Sequence, residues 1–97
     1  MELKVGDLCK HFKGKSLLEK NIYEIIAINV TYTGENANKS LDNLVLYKNI
    51  FNQDKLFVRE YEDLTCELSK EKQEEYGQKY RVEKLTDEEI AIIKNII

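Results

Sequence analysis

The chain has 97 residues, 42% of them hydrophobic and 34% charged, and its formal net charge is −3. This length fits one domain with its own core, and the apolar fraction excludes an intrinsically disordered chain. Phosphate contacts supply much of the affinity of nucleic-acid-binding domains, so the negative charge disfavours DNA or RNA as a partner.

Apolar and β-branched runs bounded by turn residues predict strands in the first half of the chain. Residues 3–12 are predicted to form a strand that ends in a turn at Gly14, followed by a polar loop over residues 15–21. Residues 22–32 hold apolar side chains on both faces, which predicts either a central strand covered on both faces or a strongly bent strand. Residues 33–43 are almost free of apolar side chains and predict a loop.

A β-hairpin is predicted next, from strand-like residues 44–51, a turn at residues 52–55 and a short partner strand over residues 56–59. Residues 61–68 fit either a helical turn or a short strand. Residues 69–79 are charged and contain a glycine, so they are either a loop or a marginal helix.

Residues 80–85 alternate in a way that predicts one further short strand. The C-terminus then carries a helix signal, because Thr86 and Glu89 have the spacing of a capping box. Isoleucines follow at helical spacing, and packing of this stripe on the strands is favoured over dimerisation through it. The stripe consists of Ile90, Ile93 and Ile97, with Ile92 and Ile96 beside it.

About five short strands with tight turns and no βαβ rhythm predict a mainly β fold, a small antiparallel barrel or highly curved sheet. Residues 1–85 are predicted to form the barrel, and residues 86–97 a helix packed on it within a single domain.

Cysteine usage and hydropathy predict a cytoplasmic protein that is not bound to a membrane. Cys9 and Cys66 are isolated from each other, whereas small secreted domains carry dense sets of cysteines. No apolar run exceeds four residues, the length of residues 25–28, which is far short of the ~20 residues of a membrane helix.

The sequence offers no recognisable catalytic or metal-binding motif. Cys9 and His11 would share one face of a strand, so a Cys–His dyad is geometrically allowed, but nothing supplies a third, orienting group. With Cys66 they make only three of the four ligands of a structural zinc site. No glycine-rich nucleotide motif occurs, so no cofactor is expected, and Cys9 is interpreted as a small buried hydrophobe.

Cations surround the only histidine in the segment from Lys10 to Lys15, which also contains Phe12. Such a segment could grip a phosphate or an acidic peptide; the structural alternative is a strand end with solvated lysines. Around the predicted hairpin, aromatic side chains beside a cation could form a binding surface from Tyr47, Phe57, Arg59 and Tyr61. The alternative for Tyr47 and Phe57 is a place in the core.

Four segments occur in order along the chain: HFKG from His11, YEIIAI from Tyr23, LVLY from Leu44 and LFVR from Leu56. Together they resemble a small bacterial family catalogued as domain-of-unknown-function family 1653, and the likeness covers roughly residues 6 to 64. The family pattern reads approximately H-[FY]-K-G, Y-E-V-x-x-x-A, L-V-x-Y and L-W-V-R-P-x-x-x-F.

The resemblance implies an SH3-like barrel of unknown activity. This chain departs from the pattern with Phe57 in place of Trp, Glu60 in place of Pro and Leu64 in place of Phe. The positions that match are His11, Lys13, Tyr47, Arg59 and Glu62.

We therefore expect a monomeric, non-enzymatic module that binds a protein, a peptide or a small anion. The alternatives are a single-stranded nucleic-acid-binding domain, and a small enzyme or accessory subunit that uses Cys9 and His11. An ion pair between Arg59 and Glu62 that braces the hairpin is the structural alternative for those two residues. The predicted ligand-binding residues are His11, Lys13, Tyr47, Phe57, Arg59 and Glu62.

Overall fold

The computed structural model describes residues 2–34 and 41–97 of the chain. Over these residues it contains five strands: β1 (Leu8–His11), β2 (Ile22–Tyr32), β3 (Leu41–Asn49), β4 (Asn52–Glu60) and β5 (Val82–Lys84). All neighbouring strands are antiparallel, and they form one sheet in the order β4-β3-β2-β1-β5. A 3-10 turn and three helices complete the described elements: Leu17–Glu19, α1 (Tyr61–Leu64), α2 (Lys70–Tyr76) and α3 (Asp87–Lys94).

The predicted fold class is confirmed, since the chain is mainly β with five antiparallel strands and a C-terminal helix. Within the described ranges no hydrogen-bonded ladder joins the two edge strands, β4 and β5, so the sheet is open. An open ladder of this size is compatible with a barrel-like fold.

Strand β2 has the predicted bounds and lies at the centre of the sheet. Its register with β3 shifts three times between Ile25 and Tyr32, and Asn29 adopts a φ of 55° within this stretch. Extra residues in one strand of a pair bend that strand. Ile28 and Tyr32 are exposed, so the bent alternative describes β2 better than a strand covered on both faces.

The first strand is shorter than predicted, because the chain turns at Gly6, whose φ is 91°, and β1 begins only at Leu8. Leu3 is nevertheless buried, and its backbone N–H donates to Oη of Tyr61 at 2.9 Å. The predicted loop over residues 33–43 is also shorter, since β3 already begins at Leu41. Residues 35–40 of that loop lie outside the described part.

The predicted hairpin is present, but the predicted position of its turn is wrong, because the turn begins two residues earlier in the chain. The connection is Ile50–Phe51, and Asn49 pairs with Asn52. Oδ1 of Asn49 accepts a hydrogen bond from the N–H of Phe51 at 2.9 Å, an Asx-turn arrangement. Residues 53–55 lie in a register shift at the start of β4, between the paired residues Asn52 and Leu56.

Of the two alternatives for residues 61–68, the helical turn occurs as α1, and Glu67 forms only an isolated bridge with Tyr80 in place of a strand. Residues 69–79 contain the marginal helix α2. Oγ of Ser69 accepts from the N–H of Lys72 at its start, and Gly77 ends it in the left-handed conformation. The last strand, β5, covers only the middle of the range predicted for it.

Each face of the sheet has its own buried cluster. Around Cys9, Ile25 and Val45, the first cluster also receives Leu64 from α1. On the other face Ile22 and Ile50 pack against Leu85 and Ile93. Strands present alternate side chains to opposite faces, so these two sets follow from the strand period.

Helix α3 carries the predicted capping box, with Thr86 and Glu89 bonded reciprocally. Ile93 is fully buried and Ile90 packs beside it, and an ion pair of 2.8 Å joins Glu89 to Lys10 of β1. The predicted stripe is narrower than expected, because Ile97 is exposed. Of the described helices, none has the length and apolar character needed to cross a membrane.

Candidate functional site

Four rings from four strands lie side by side on one face of the sheet, and we call this set the aromatic face. Ring centroids are 6.2 Å apart for His11 and Tyr23, and 4.9 Å apart for Tyr23 and Tyr47. Phe57 stacks on Tyr47 with centroids 5.8 Å apart and an interplanar angle of 28°. The aromatic face therefore consists of His11, Tyr23, Tyr47 and Phe57.

Strand register explains why these rings meet. Tyr47 stands directly opposite Phe57 in the ladder between β3 and β4, and Tyr23 stands opposite Cys9 in the ladder between β1 and β2. Directly opposed residues share a face, and so do residues two apart in one strand, which adds His11 to the set.

Arg59 places a guanidinium beside this face, two residues after Phe57. Nη1 of Arg59 donates to Oδ2 of Asp63 at 2.9 Å, and Nη2 of Arg81 lies 3.8 Å from the other oxygen of that carboxylate. Burial acts to lower the pKa of Arg59, but a hydrogen bond with Tyr47 and the carboxylate of Asp63 outweigh it, and the net shift is upward. One carboxylate thus serves two arginines.

His11 is uncharged at neutral pH. Burial lowers its pKa to about 4, and the charges of Arg81, Lys13, Arg59 and Lys20 add to the effect. The charges that act on its pKa are all positive, which describes a locally electropositive site in a chain of negative net charge. Nδ1 of His11 accepts a long hydrogen bond of 3.4 Å from the N–H of Lys13, which assigns the ring proton to Nε2.

Lys20 holds the turn that follows β1. It is buried, and its Nζ donates to the carbonyl oxygens of Phe12 at 2.6 Å and Gly14 at 2.8 Å. Gly14 has a φ of 104°, and a Cβ there would lie 2.8 Å from the carbonyl oxygen of Glu19. Only glycine fits this position, so the glycine of the HFKG segment has a structural role.

The predicted cluster of cations from Lys10 to Lys15 does not form one patch. Lys10 points to Glu89 of α3, whereas Phe12 is buried and contacts Tyr76 of α2, with centroids 5.2 Å apart. Lys13 is exposed and acts on His11 through its charge. Of these three residues only Lys10 lies within β1, because the strand ends at His11 and the turn at Gly14 follows.

The structure brings four of the six predicted ligand-binding residues into one place: His11, Tyr47, Phe57 and Arg59. The core alternative is confirmed for Tyr47, which is buried in the first cluster, and it is wrong for Phe57, which is exposed. Glu62 lies in α1 and lines a separate small cavity of about 160 Å³ with other acidic residues. Arg59, near the end of β4, pairs with Asp63 of helix α1 instead of Glu62.

Sequence reasoning missed Tyr23, Arg81 and Asp63 as members of this site. Tyr23 is in the YEIIAI segment, and its spacing of two residues from Ile25 was the signal that could have placed both side chains on the same face of the strand. Arg81 is brought near Asp63 by the bridge between Tyr80 and Glu67 and by its own N–H, which donates to the carbonyl oxygen of Cys66 at 2.9 Å; the sequence has no local signal for this pairing.

Cys9 has the properties of a core residue. It is fully buried, and burial raises its pKa to about 12, with Asp7 adding to the shift and Lys84 opposing it. Since the thiolate is the nucleophile, a thiol that keeps its proton is a poor one, and His11 with a pKa of about 4 is a weak base. Among the described residues, no group of three or more His, Cys, Asp or Glu side chains has the arrangement of a metal site.

Comparisons of the chain with protein-family models, with curated proteins and with solved structures find no match. The resemblance to domain-of-unknown-function family 1653 stays a prediction.

Proposed function

We propose that the protein is a non-catalytic binding module that recognises an anionic group of a peptide or small ligand at the aromatic face. The observation that carries this proposal is the convergence of three rings, an uncharged histidine and two arginines on one face of the sheet.

Charge supports an anionic ligand. Arg59 and Arg81 carry two positive charges but share the single carboxylate of Asp63, and Lys13 adds a third positive charge near His11. Guanidinium groups bind carboxylate or phosphate through paired N–H donors, so this excess favours a second anion beside Asp63.

The rings support a ligand that also has an apolar or aromatic part. Phe57 is exposed, and Tyr23 is half-buried between His11 and Tyr47. Rigid aromatic side chains offer contact area at a small cost in conformational entropy, which is why they recur in peptide-binding surfaces. A carboxylate or phosphate next to an apolar group fits both features.

Chemical-shift mapping on the uniformly labelled chain tests this proposal. The probes are inorganic phosphate, an acidic peptide and a single-stranded oligonucleotide. We expect the peptide to shift the amides of His11, Phe57 and Arg59, and Arg59→Ala to weaken its binding about tenfold. Lys79→Ala is the control, because Lys79 is an exposed cation that pairs with Glu67 elsewhere.

Peptide-induced shifts confined to residues away from the aromatic face would refute the proposal. Tight, steeply salt-dependent binding of the oligonucleotide would instead favour the nucleic-acid alternative.

A further inference from the structure

Strand β4 forms one edge of the sheet and has β3 as its only strand neighbour in the described ranges. It is nine residues long, and every residue except Arg59 is exposed. The outward-facing N–H and C=O groups of such a strand are a template for pairing with another chain.

The centre of this edge lacks the features that usually prevent an edge strand from pairing with another chain. Edge strands are normally blunted by proline, charged residues, bulges or short length. The irregular register at residues 53–55 protects only the beginning of β4, and the regular part contains Leu56, Phe57 and Val58, with exposures of 57%, 42% and 54%. The opposite edge, β5, is only three residues long and its Val82 is buried.

Alternation gives the two faces of β4 different chemistry. Phe57 and Arg59 belong to the aromatic face and to the pair with Asp63. Leu56 and Val58 point to the other face, where Val58 stands opposite the half-buried Leu46. A strand added along β4 would therefore meet cations and rings on one side and aliphatic side chains on the other.

We propose that the β4 edge binds an extended peptide as a sixth strand, in which acidic side chains on the aromatic face alternate with apolar side chains on the opposite face. This inference rests on the proposed function, because the acidic side chains are the anions that Arg59 and Arg81 receive. Directly opposed side chains of antiparallel strands have Cβ atoms about 4.5–5.5 Å apart, so a glutamate opposite Phe57 or Arg59 reaches the guanidinium. The excess of positive charge around Asp63 and the unpaired backbone groups of β4 therefore favour the same kind of peptide.

Four synthetic peptides of about eight residues test the proposal with the full chain. The first alternates glutamate and valine. The second has the same composition with all glutamates before the valines. The third and fourth are the alternating peptide with its backbone nitrogens methylated at every second residue, at the glutamates in one and at the valines in the other. Binding is measured by calorimetry, and hydrogen exchange of the β4 amides is followed by NMR.

We expect the alternating peptide to bind about tenfold more tightly than the block peptide, since only alternation puts all carboxylates on one face. Methylation at the positions that face β4 removes the ladder donors and should weaken binding by a similar factor, whereas methylation in the other phase should not. Amide exchange in residues 56–60 should slow when the alternating peptide binds.

Equal affinity of the alternating and block peptides, with shifts at His11 and Arg59 but unchanged exchange in β4, would overturn strand addition and leave the proposed function standing. If neither the peptides nor inorganic phosphate perturbed the aromatic face, both ideas would fail. Slow exchange in β4 together with a concentration-dependent dimer of the free chain would show that a second copy occupies the edge, which also overturns the proposal.

Discussion

The guanidinium of Arg59 and the carboxylate of Asp63 form an ion pair of 2.9 Å that joins the end of β4 to helix α1. Both side chains are partly exposed, so the pair adds little to the free energy of folding. The pair matters for the position of charged groups. Because the same carboxylate lies 3.8 Å from Arg81, Asp63 holds two cations at the border of the aromatic face.

Replacing this shared carboxylate should favour ligand binding. In Asp63→Asn the two guanidinium groups lose their internal anion, so we expect the affinity for an acidic peptide to rise about threefold while the free energy of unfolding changes by less than about 1 kcal/mol. Calorimetry and urea unfolding measure the two quantities. Glu67→Gln is the control, since Glu67 pairs with Lys79 elsewhere; a lower affinity in Asp63→Asn would mean that Asp63 orients the arginines for the ligand.

Stability should fall on acidification because of His11. Its pKa in the folded state is about 4, below the ordinary value of 6.5, so between these pH values the unfolded chain binds more protons than the folded chain. Linkage then makes the free energy of unfolding rise with pH through this window and become constant above it.

We expect the wild-type chain to lose about 1 to 2 kcal/mol more than His11→Asn between pH 7 and pH 4.5, after allowance for solvent screening of a half-buried group. Urea unfolding at the two pH values measures the difference. Equal losses in both chains would show that His11 titrates normally in the folded state.

The two thiols should differ in reactivity. Cys9 is fully buried with a pKa of about 12, whereas Cys66 is half-buried and its Sγ accepts from Nε of Arg81 at 3.5 Å. We expect a chromogenic disulfide reagent at neutral pH to modify Cys66 about a hundredfold faster than Cys9, and both at similar rates in denaturant. In Cys66→Ser the fast phase should disappear, and a fast phase that survived would revive the alternative in which Cys9 and His11 catalyse a reaction.

Two neighbouring isoleucines of α3 provide a matched test of how that helix packs. Ile93 is fully buried against Ile22 and Leu85, whereas Ile92 is exposed. Ile93→Ala should reduce the free energy of unfolding by about 2–5 kcal/mol, because it removes buried methyl groups and leaves a cavity, and Ile92→Ala by less than about 1 kcal/mol. Equal effects in urea unfolding would contradict this packing of α3.

Features that depend on near neighbours in the chain were predictable from the amino-acid order. The β-branched run predicted the bounds of β2, and the spacing of Thr86 and Glu89 predicted the start of α3. The turn at Gly14 was predictable for the same reason, because backbone sterics and short-range hydrogen bonds decide all three.

The tertiary structure alone decided which side chains meet. The hairpin turn lies at Ile50–Phe51 because Ile50 packs in the core cluster that includes Ile93 of α3. Lys20 is buried because its Nζ donates to two carbonyl oxygens of the turn that follows β1. Tyr23 and Phe57 converge through the registers of β2, β3 and β4, and Arg81 joins them through its hydrogen bond to Cys66 and the pairing of β5 with β1. A strand pattern specifies the face of each side chain relative to its own neighbours, but the contacts between strands depend on pairing that buries the whole core at once.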